Sequence, residues 1–458
     1  MNCLFLSLSL LSCGTETNSE TDNQAALKPN IIILYADDLG YGDLSSYGGD
    51  IPTPNIDQIG KDGIRFTQFY VSSPACSPSR YSLLTGSYPQ RSMHGLDKVI
   101  MPGNDFHIDD EEVLLPELLK TQGYFTGIMG KWHLGSHKPE YLPTHYGFDR
   151  FSGMQGGVVD HFTHVYGAMG HDWFVDGKPQ HDAGYSTELI TRYALGFLDE
   201  ASAKENPFFL YIPYTAPHYG KTDPDTIPDV TVALSEGTYQ GYEIMNTLQA
   251  PPEYVDQFSQ VEDPYRRVYS AMVACLDDNI GKVMATLEEK GMSDNTMVWF
   301  ISDNGGYSIR YHGHSSNGIL SGEKGATGEG GIRIPAMVQW KGKIEPAQVI
   351  TQPIGNVDLV PTLGAITGYA DTLSSLPIDG IDINEVLFEG KTLERDLFWR
   401  YHGDEAFRRG DWKLRNGEAL YNLASDMSEQ NNLAAEYPDK VNELQQEVEK
   451  LDRSFDAP

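Results

Sequence analysis

Two apolar runs end in oxygen-rich residues. Asn30-Ile31-Ile32-Ile33-Leu34-Tyr35-Ala36 leads into Asp37-Asp38, and the run from Thr296 to Ser302 leads into Asp303-Asn304. An isolated acidic pair reads as a solvated turn. Two such groups, each just past a buried run, point instead to a hard divalent cation, because carboxylate and amide oxygens suit Ca2+ and suit Zn2+ poorly. Cationic and proton-transferring groups follow two further runs. Lys131 and His133 lie in Gly130-Lys131-Trp132-His133 after the run from Tyr124 to Met129, and His218 follows the run from Pro207 to Ile212. Such residues can neutralise an anion and move a proton near neutral pH. A third feature is Cys76-Ser77-Pro78-Ser79-Arg80. Ser77 is expected as an N-cap, Pro78 as the first helical residue and Gly86 as the close of about two turns. Cys76 then sits at a helix N-terminus, where backbone N–H groups favour an anion. Arg80 opposes that dipole and calls for an anionic partner. Taken singly, Cys76 reads as an inert buried thiol and Arg80 as a surface side chain.

These residues need a frame that brings strand ends together. Buried strands alternate with helical stretches: Asn55 to Asp62, Leu114 to Thr121, Thr187 to Asp199, Tyr265 to Lys290, and Asp358 to Gly368. That alternation predicts an α/β fold with a large doubly wound, mostly parallel sheet flanked by helices. In such sheets ligands bind beyond the carboxyl ends of the strands. Past residue 370 the texture changes to short strands around Phe398 to His402, Trp412 to Leu414 and Leu420 to Leu423, then a polar helix from Pro438 to Leu451. This predicts a smaller C-terminal antiparallel-sheet subdomain. The expected organisation is a signal peptide over 1–13, a flexible tether over 14–26, a catalytic α/β domain over 27–370 and the small subdomain over 371–458. The acidic runs Asp109 to Glu112 and Asp277-Asp278 read as solvated faces.

The 458 residues carry 33 Lys+Arg against 65 Asp+Glu, a net charge of −32. Nucleic-acid wrapping and docking on an anionic membrane through general charge are therefore excluded. The 26 Tyr, 18 Phe and 6 Trp argue against disorder. Of the four cysteines, Cys3 and Cys13 flank a short apolar run. It reads as a secretory signal, too short for a membrane span of about 20 residues. Leu10-Leu11-Ser12-Cys13 is similar to a bacterial lipobox. The expectation is thus an exported protein of the periplasm or cell surface. The signal is either simply cleaved or replaced by a lipid anchor at Cys13, the one expected tie to a membrane. Cys275, on the long helix, reads as core.

The segment from Cys76 to Arg80, continued by Leu84-Thr85-Gly86, resembles the formylglycine signature of type I sulfatases, within the alkaline-phosphatase-like superfamily. Resemblance continues at Gly130 to Gly135, Ala216-Pro217-His218, Ser302 to Gly305, Gly322 to Pro335 and Arg409 to Lys413, and covers about 29 to 433. It implies that a maturation enzyme oxidises Cys76 to formylglycine (3-oxoalanine), whose hydrated form attacks sulfur. It implies Asp37, Asp38, Asp303, Asn304 and the oxygen at Cys76 as ligands of Ca2+. Arg80, Lys131 and Lys324 would neutralise the sulfate. His133 would take a proton from the diol, and His218, with Lys324, would serve the leaving oxygen. The implied activity is sulfate ester hydrolysis, expected on a sulfated sugar or oligosaccharide, as in bacterial polysaccharide-degrading relatives. Sugar contacts are expected from His161, His164, Arg310, His312 and His314. Two alternatives stand beside this reading: a phosphate or phosphonate ester hydrolase of the same superfamily, and a non-catalytic glycan-binding lipoprotein.

Overall fold

The computed structural model describes residues 28–92, 95–101, 106–109, 111–136, 138–226, 231–308 and 312–455. The expected signal peptide and tether lie outside the described residues, as does Arg310. Strands of the first half are β1 (Asn30–Ala36), β2 (Ile64–Tyr70), β3 (Phe125–Lys131), β4 (Arg150–Met154), β5 (Phe174–Val175), β6 (Lys178–Pro179), β7 (Phe208–Pro213), β8 (Gly220–Thr222), β9 (Thr231–Tyr239) and β10 (Tyr242–Gln249). The second half adds β11 (Thr296–Ser302), β12 (Arg333–Trp340), β13 (Gln348–Ile350), β14 (Ile354–Gly355), β15 (Asp396–Tyr401), β16 (Asp404–Arg409), β17 (Trp412–Arg415) and β18 (Ala419–Asn422). Eleven strands make one sheet in the order β13-β2-β12-β11-β1-β7-β3-β4-β5-β6, with β14 also on β2. Its centre, β11-β1-β7-β3-β4, is parallel, while β12 runs antiparallel to both its neighbours.

Both faces of the central strands are covered, which is why they read as unbroken apolar runs. Along β1 the side chains alternate between two cores. Ile31, Ile33 and Tyr35 join one; Ile32, Leu34 and Ala36 join the other. The first core receives helices α2 (Cys76–Thr85), α3 (Leu115–Thr121) and α8 (Leu359–Thr367). The second receives α1 (Pro54–Lys61), α4 (Ser186–Ser202) and α6 (Pro264–Glu289). Two short helices, α5 (Pro252–Gln257) and α7 (Glu329–Ile332), fall between these in sequence, and α9 (Asn384–Glu389) follows α8. The expected doubly wound architecture is therefore present. Cys275 lies within the second core as a free thiol.

The C-terminal subdomain is the four-stranded antiparallel sheet β15-β16-β17-β18, packed on α10 (Pro438–Phe455). Phe398, Phe407, Leu414, Leu420 and Leu444 form its core. Lys413 anchors it to the large sheet. Its ammonium, buried, lies 2.8 Å from Glu329 and 3.0 Å from Glu429. The chain through α9 still belongs to the large core, through Ile383, Val386 and Leu387.

Three local expectations need correction. Helix α2 starts at Cys76 with Ala75 as N-cap, so Ser77 lies inside the helix, where its hydroxyl accepts the Ile100 N–H at 3.0 Å. Asp277 is buried rather than solvated. It accepts the N–H groups of Asn55 (3.2 Å) and Ile56 (2.8 Å) and so caps α1 from a different element. Glu112 likewise turns inward, its carboxylate accepting the Tyr81 hydroxyl at 2.9 Å. The three-stranded sheet β8-β10-β9 was not expected at all.

Candidate active site

Register places the acidic groups. Ala36 pairs with Ser302, so Asp37 and Asp303 leave the sheet side by side. The Asp303 N–H donates to the Ala36 carbonyl at 3.0 Å, and the Asp38 N–H to Asp303 Oδ1 at 3.0 Å. Asp38 has φ 65° and His133 φ 60°, left-handed backbone that non-glycine residues seldom adopt. Both are held at the sheet's carboxyl edge, where strain of this kind gathers in functional sites.

The cations arrive from separate elements. Lys131, the last residue of β3, lies 2.7 Å from Asp37 Oδ2. Arg80, one turn into α2 and fully buried, lies 2.8 Å from Asp303 Oδ2 and 3.5 Å from Asp37 Oδ1. This is the anionic partner its position required. Lys324, from the loop between β11 and β12, lies 2.6 Å from Asp38 Oδ1 and 2.9 Å from Cys76 Sγ. Cys76 Sγ is 3.7 Å from Asp37 Oδ1 and 4.0 Å from Asp38 Oδ1.

Both histidines have an assignable tautomer. A carbonyl only accepts, so His133 Nε2, 2.9 Å from the Ile100 oxygen, carries the hydrogen. Its Nδ1 is buried with no hydrogen-bond partner, a lone pair ready for a proton. Burial, with the charges of Lys131 and Arg80, holds the imidazole well below the ordinary histidine range. His218 Nδ1 likewise donates to the Tyr219 carbonyl at 2.7 Å, which turns Nε2 toward Asp38 Oδ2 at 3.4 Å. Burial again lowers its pKa, outweighing Asp38.

The same forces act on Cys76. Burial pushes its thiol up to about 12, against the pull of Lys131 and Lys324. An unmodified thiol is therefore protonated at neutral pH and a poor nucleophile.

Asp37, Asp38, Asp303 and Asn304 fit a hard cation. Asn304 Oδ1 and Asp38 Oδ2 are buried and accept no hydrogen bond. The ligand-capable atoms of Asp37, Asp38, Cys76 and His218 lie within 4.8 Å of one another. Oxygens left bare inside a protein are costly unless something is bound to them.

Above this floor opens a cleft of about 390 Å3, reached by Cys76, His133, His218 and Lys324. Its walls were missed in the sequence. Tyr166, Tyr219, Tyr307 and Lys221 line it from loops and β8, and Tyr401 with His402 reach it from the C-terminal subdomain. Gly157 is needed too, since a Cβ there would meet His133 Nε2 at 2.3 Å.

The expected sugar contacts are placed differently. His161 is buried behind the site. Its Nε2 donates to the His218 carbonyl at 2.9 Å and its Nδ1 meets Ser186 Oγ at 2.7 Å. His164 is buried against Trp173, ring centroids 4.7 Å apart. His314 is buried beside Tyr269, and His312 is exposed and stacked on Tyr265 at 4.1 Å. None of these four is among the cleft-lining residues.

The chain is similar to known proteins in sequence and in fold. Residues 29–369 match the family model described as Sulfatase. Arylsulfatase A of Bos taurus is 33% identical over 418 residues, spanning 86% of this chain and 74% of the relative. N-acetylgalactosamine-6-sulfatase of Homo sapiens is 33% identical over 396 residues, spanning 82% and 69%. Among solved structures, Ps i-CgsB in complex with k-i-k-neocarrahexaose superposes with a TM-score of 0.82 at 29% identity, covering 93% of each chain. The PsFucS1 sulfatase from Pseudoalteromonas sp. has a TM-score of 0.75 at 26% identity, covering 94% of this chain and 91% of its own. With a family match over most of its length and relatives one third identical, the chain belongs to the sulfatase family as a sulfuric ester hydrolase.

Proposed function

We propose that the enzyme removes sulfate from a sulfated sugar or oligosaccharide, using formylglycine made from Cys76 and a bound Ca2+. The observation that carries this is the convergence of Arg80, Lys131, His133, His218 and Lys324 around Cys76, at the floor of a cleft walled by tyrosines. Cations of this number suit a sulfate group, and aromatic faces suit the apolar face of a sugar ring. The relative crystallised with a neocarrahexaose supports a saccharide as the class of substrate.

Converted to formylglycine, position 76 supplies a hydrated aldehyde, an oxygen nucleophile that can release sulfate without a second attack at sulfur. Asp37, Asp38, Asp303 and Asn304 would hold the calcium, which would supply Lewis acidity to the sulfate. Arg80, Lys131 and Lys324 oppose the negative charge of the sulfate and hold it in line. His133 receives the proton at Nδ1, the atom left bare by the Ile100 bond. His218, its ring fixed by the Tyr219 carbonyl, presents Nε2 to the site and would serve the leaving oxygen only as the imidazolium, the form Asp38 favours and burial opposes.

The N-terminal run from Cys3 to Leu11 supports export, with cleavage or lipid attachment at Cys13. Fractionation of the native host, with lipid labelling of a Cys13→Ala variant, checks this.

The test of function is sulfate release from a panel of sulfated oligosaccharides by matured enzyme, run beside an aryl sulfate and an aryl phosphate. Release from at least one saccharide is expected. Faster cleavage of the aryl phosphate than of any sulfate ester overturns the reading.

A further inference from the structure

Among the described residues, four Lys and Arg side chains reach the cleft or its floor, and three are matched by carboxylates: Lys131 by Asp37, Arg80 by Asp303 and Lys324 by Asp38. The fourth, Lys221 on β8, lines the same cleft yet has no carboxylate within ion-pair range among the described residues. A half-buried ammonium without a counter-charge is costly. Tyr219 offsets part of this, its ring centroid 5.4 Å from the Lys221 nitrogen. Burial alone lowers this lysine to about 8, so it remains mostly charged at neutral pH. A net charge of −32 repels a polyanion at long range, and only local cations can offset that repulsion. Lys221 is not needed for the cation or nucleophile described above. It stands on a different sheet, beside the tyrosines Tyr219, Tyr166 and Tyr307 that wall the cleft.

We propose that Lys221 receives a second anionic group of the substrate, a further sulfate ester or a carboxylate, so that the enzyme selects saccharides bearing two negative groups over those bearing one. This rests on the saccharide reading above. The reacting sulfate occupies the floor with Arg80, Lys131 and Lys324, and the second group pairs with the ammonium on the wall. A charge-assisted hydrogen bond in a partly desolvated cleft is strong enough to set such a preference.

The test uses matured full-length enzyme and inhibition of 4-nitrophenyl sulfate hydrolysis. The competitors are matched galactose monosulfates, galactose disulfates and a sulfated uronic acid. For the unsubstituted enzyme, Ki for at least one dianionic sugar is expected to be about tenfold below that of its monosulfated match. Which dianion gains, disulfate or uronate, identifies the second group. Lys221→Ala is expected to shrink that ratio to within about twofold, and Lys221→Arg to keep most of it. A ratio near unity in the unsubstituted enzyme, no inhibition by any of the sugars, or a ratio that survives Lys221→Ala overturns the proposal. Sulfate release from the same sugars tests the substrate class separately. Inhibition with the expected ratio but no release removes the saccharide as substrate and leaves the anion-binding role of Lys221 standing.

Discussion

The ammonium of Lys324 stands 2.9 Å from the sulfur of Cys76. Lys324 lies far along the chain from Cys76, in the loop that joins β11 to β12. Its pKa is raised well above the ordinary lysine value: burial lowers it, but Asp38 and Cys76 more than reverse that. It is therefore a fixed positive charge within reach of any group transferred to position 76. Lys324→Ala is expected to lower kcat/KM for an aryl sulfate by about 10²–10³, the loss typical of one electrostatic stabiliser. A loss under about threefold contradicts its assignment to the sulfate.

His133 offers a different kind of check. Its burial and the neighbouring Lys131 and Arg80 keep the ring neutral, so the proton-accepting form persists below the usual histidine range. The acid limb of kcat/KM is expected below pH about 6.5, and His133→Ala is expected to cost about 10²–10⁴ in kcat. A limb centred above that value and abolished by the substitution contradicts the lowered pKa, and a loss in kcat under about threefold contradicts the role.

The joint between subdomain and sheet is electrostatic. Lys413 sits between Glu329 and Glu429, all three fully buried or nearly so. Glu329 is held down to about 2, chiefly by Lys413 once burial is overcome, with Arg333 adding to it. Lys413→Ala leaves two buried carboxylates facing each other and is expected to destabilise by about 3–5 kcal/mol. Thermal melts measure this, and an unchanged melting temperature refutes it.

Glu112 should tie stability to pH. Burial pushes its carboxyl up from 4.5 to about 7, with the Tyr81 hydroxyl pulling partly back. The folded state thus binds this proton more tightly than the unfolded one. The contribution is fully present below pH about 4.5 and is lost as pH rises through about 7, in total at most about 3 kcal/mol. Glu112→Gln removes the titration. Its melting temperature is expected to match the unsubstituted protein near pH 4.5 and to exceed it by about 1–3 °C at pH 8. A constant difference across that range rules the linkage out.

The frame of the site was readable because β1, β7 and β11 are buried on both faces and so appear as continuous apolar runs. Chemistry just past their ends then marks one edge of the sheet. Other features carry no such signal. Strand β2 alternates only in part, and the hairpin of β9 and β10 is half polar, because its core is shared with α6. Charge runs misled at Asp277 and Glu112, where partners distant in sequence supply the hydrogen bonds. The loop from Asp160 to His164 looks solvent-facing, yet Asp160 accepts Thr222 and Gln249 at 2.7 Å each and draws the loop inward. That turns His161 into a support for the His218 backbone. The cleft walls come from three separate stretches, Tyr219 with Lys221 at β8, Tyr307 after β11 and His402 after β15, with no periodicity to announce them.

The identity of the side chain at position 76 in working enzyme is open to direct measurement. Peptide mass spectrometry across Ser73 to Arg80, on fractions ranked by sulfatase rate, reads it without a substrate assumption. Aldehyde or its hydrate at position 76 is expected, in a proportion that tracks turnover, with Cys76→Ala inactive. Full turnover from material carrying only the free thiol contradicts the mechanism.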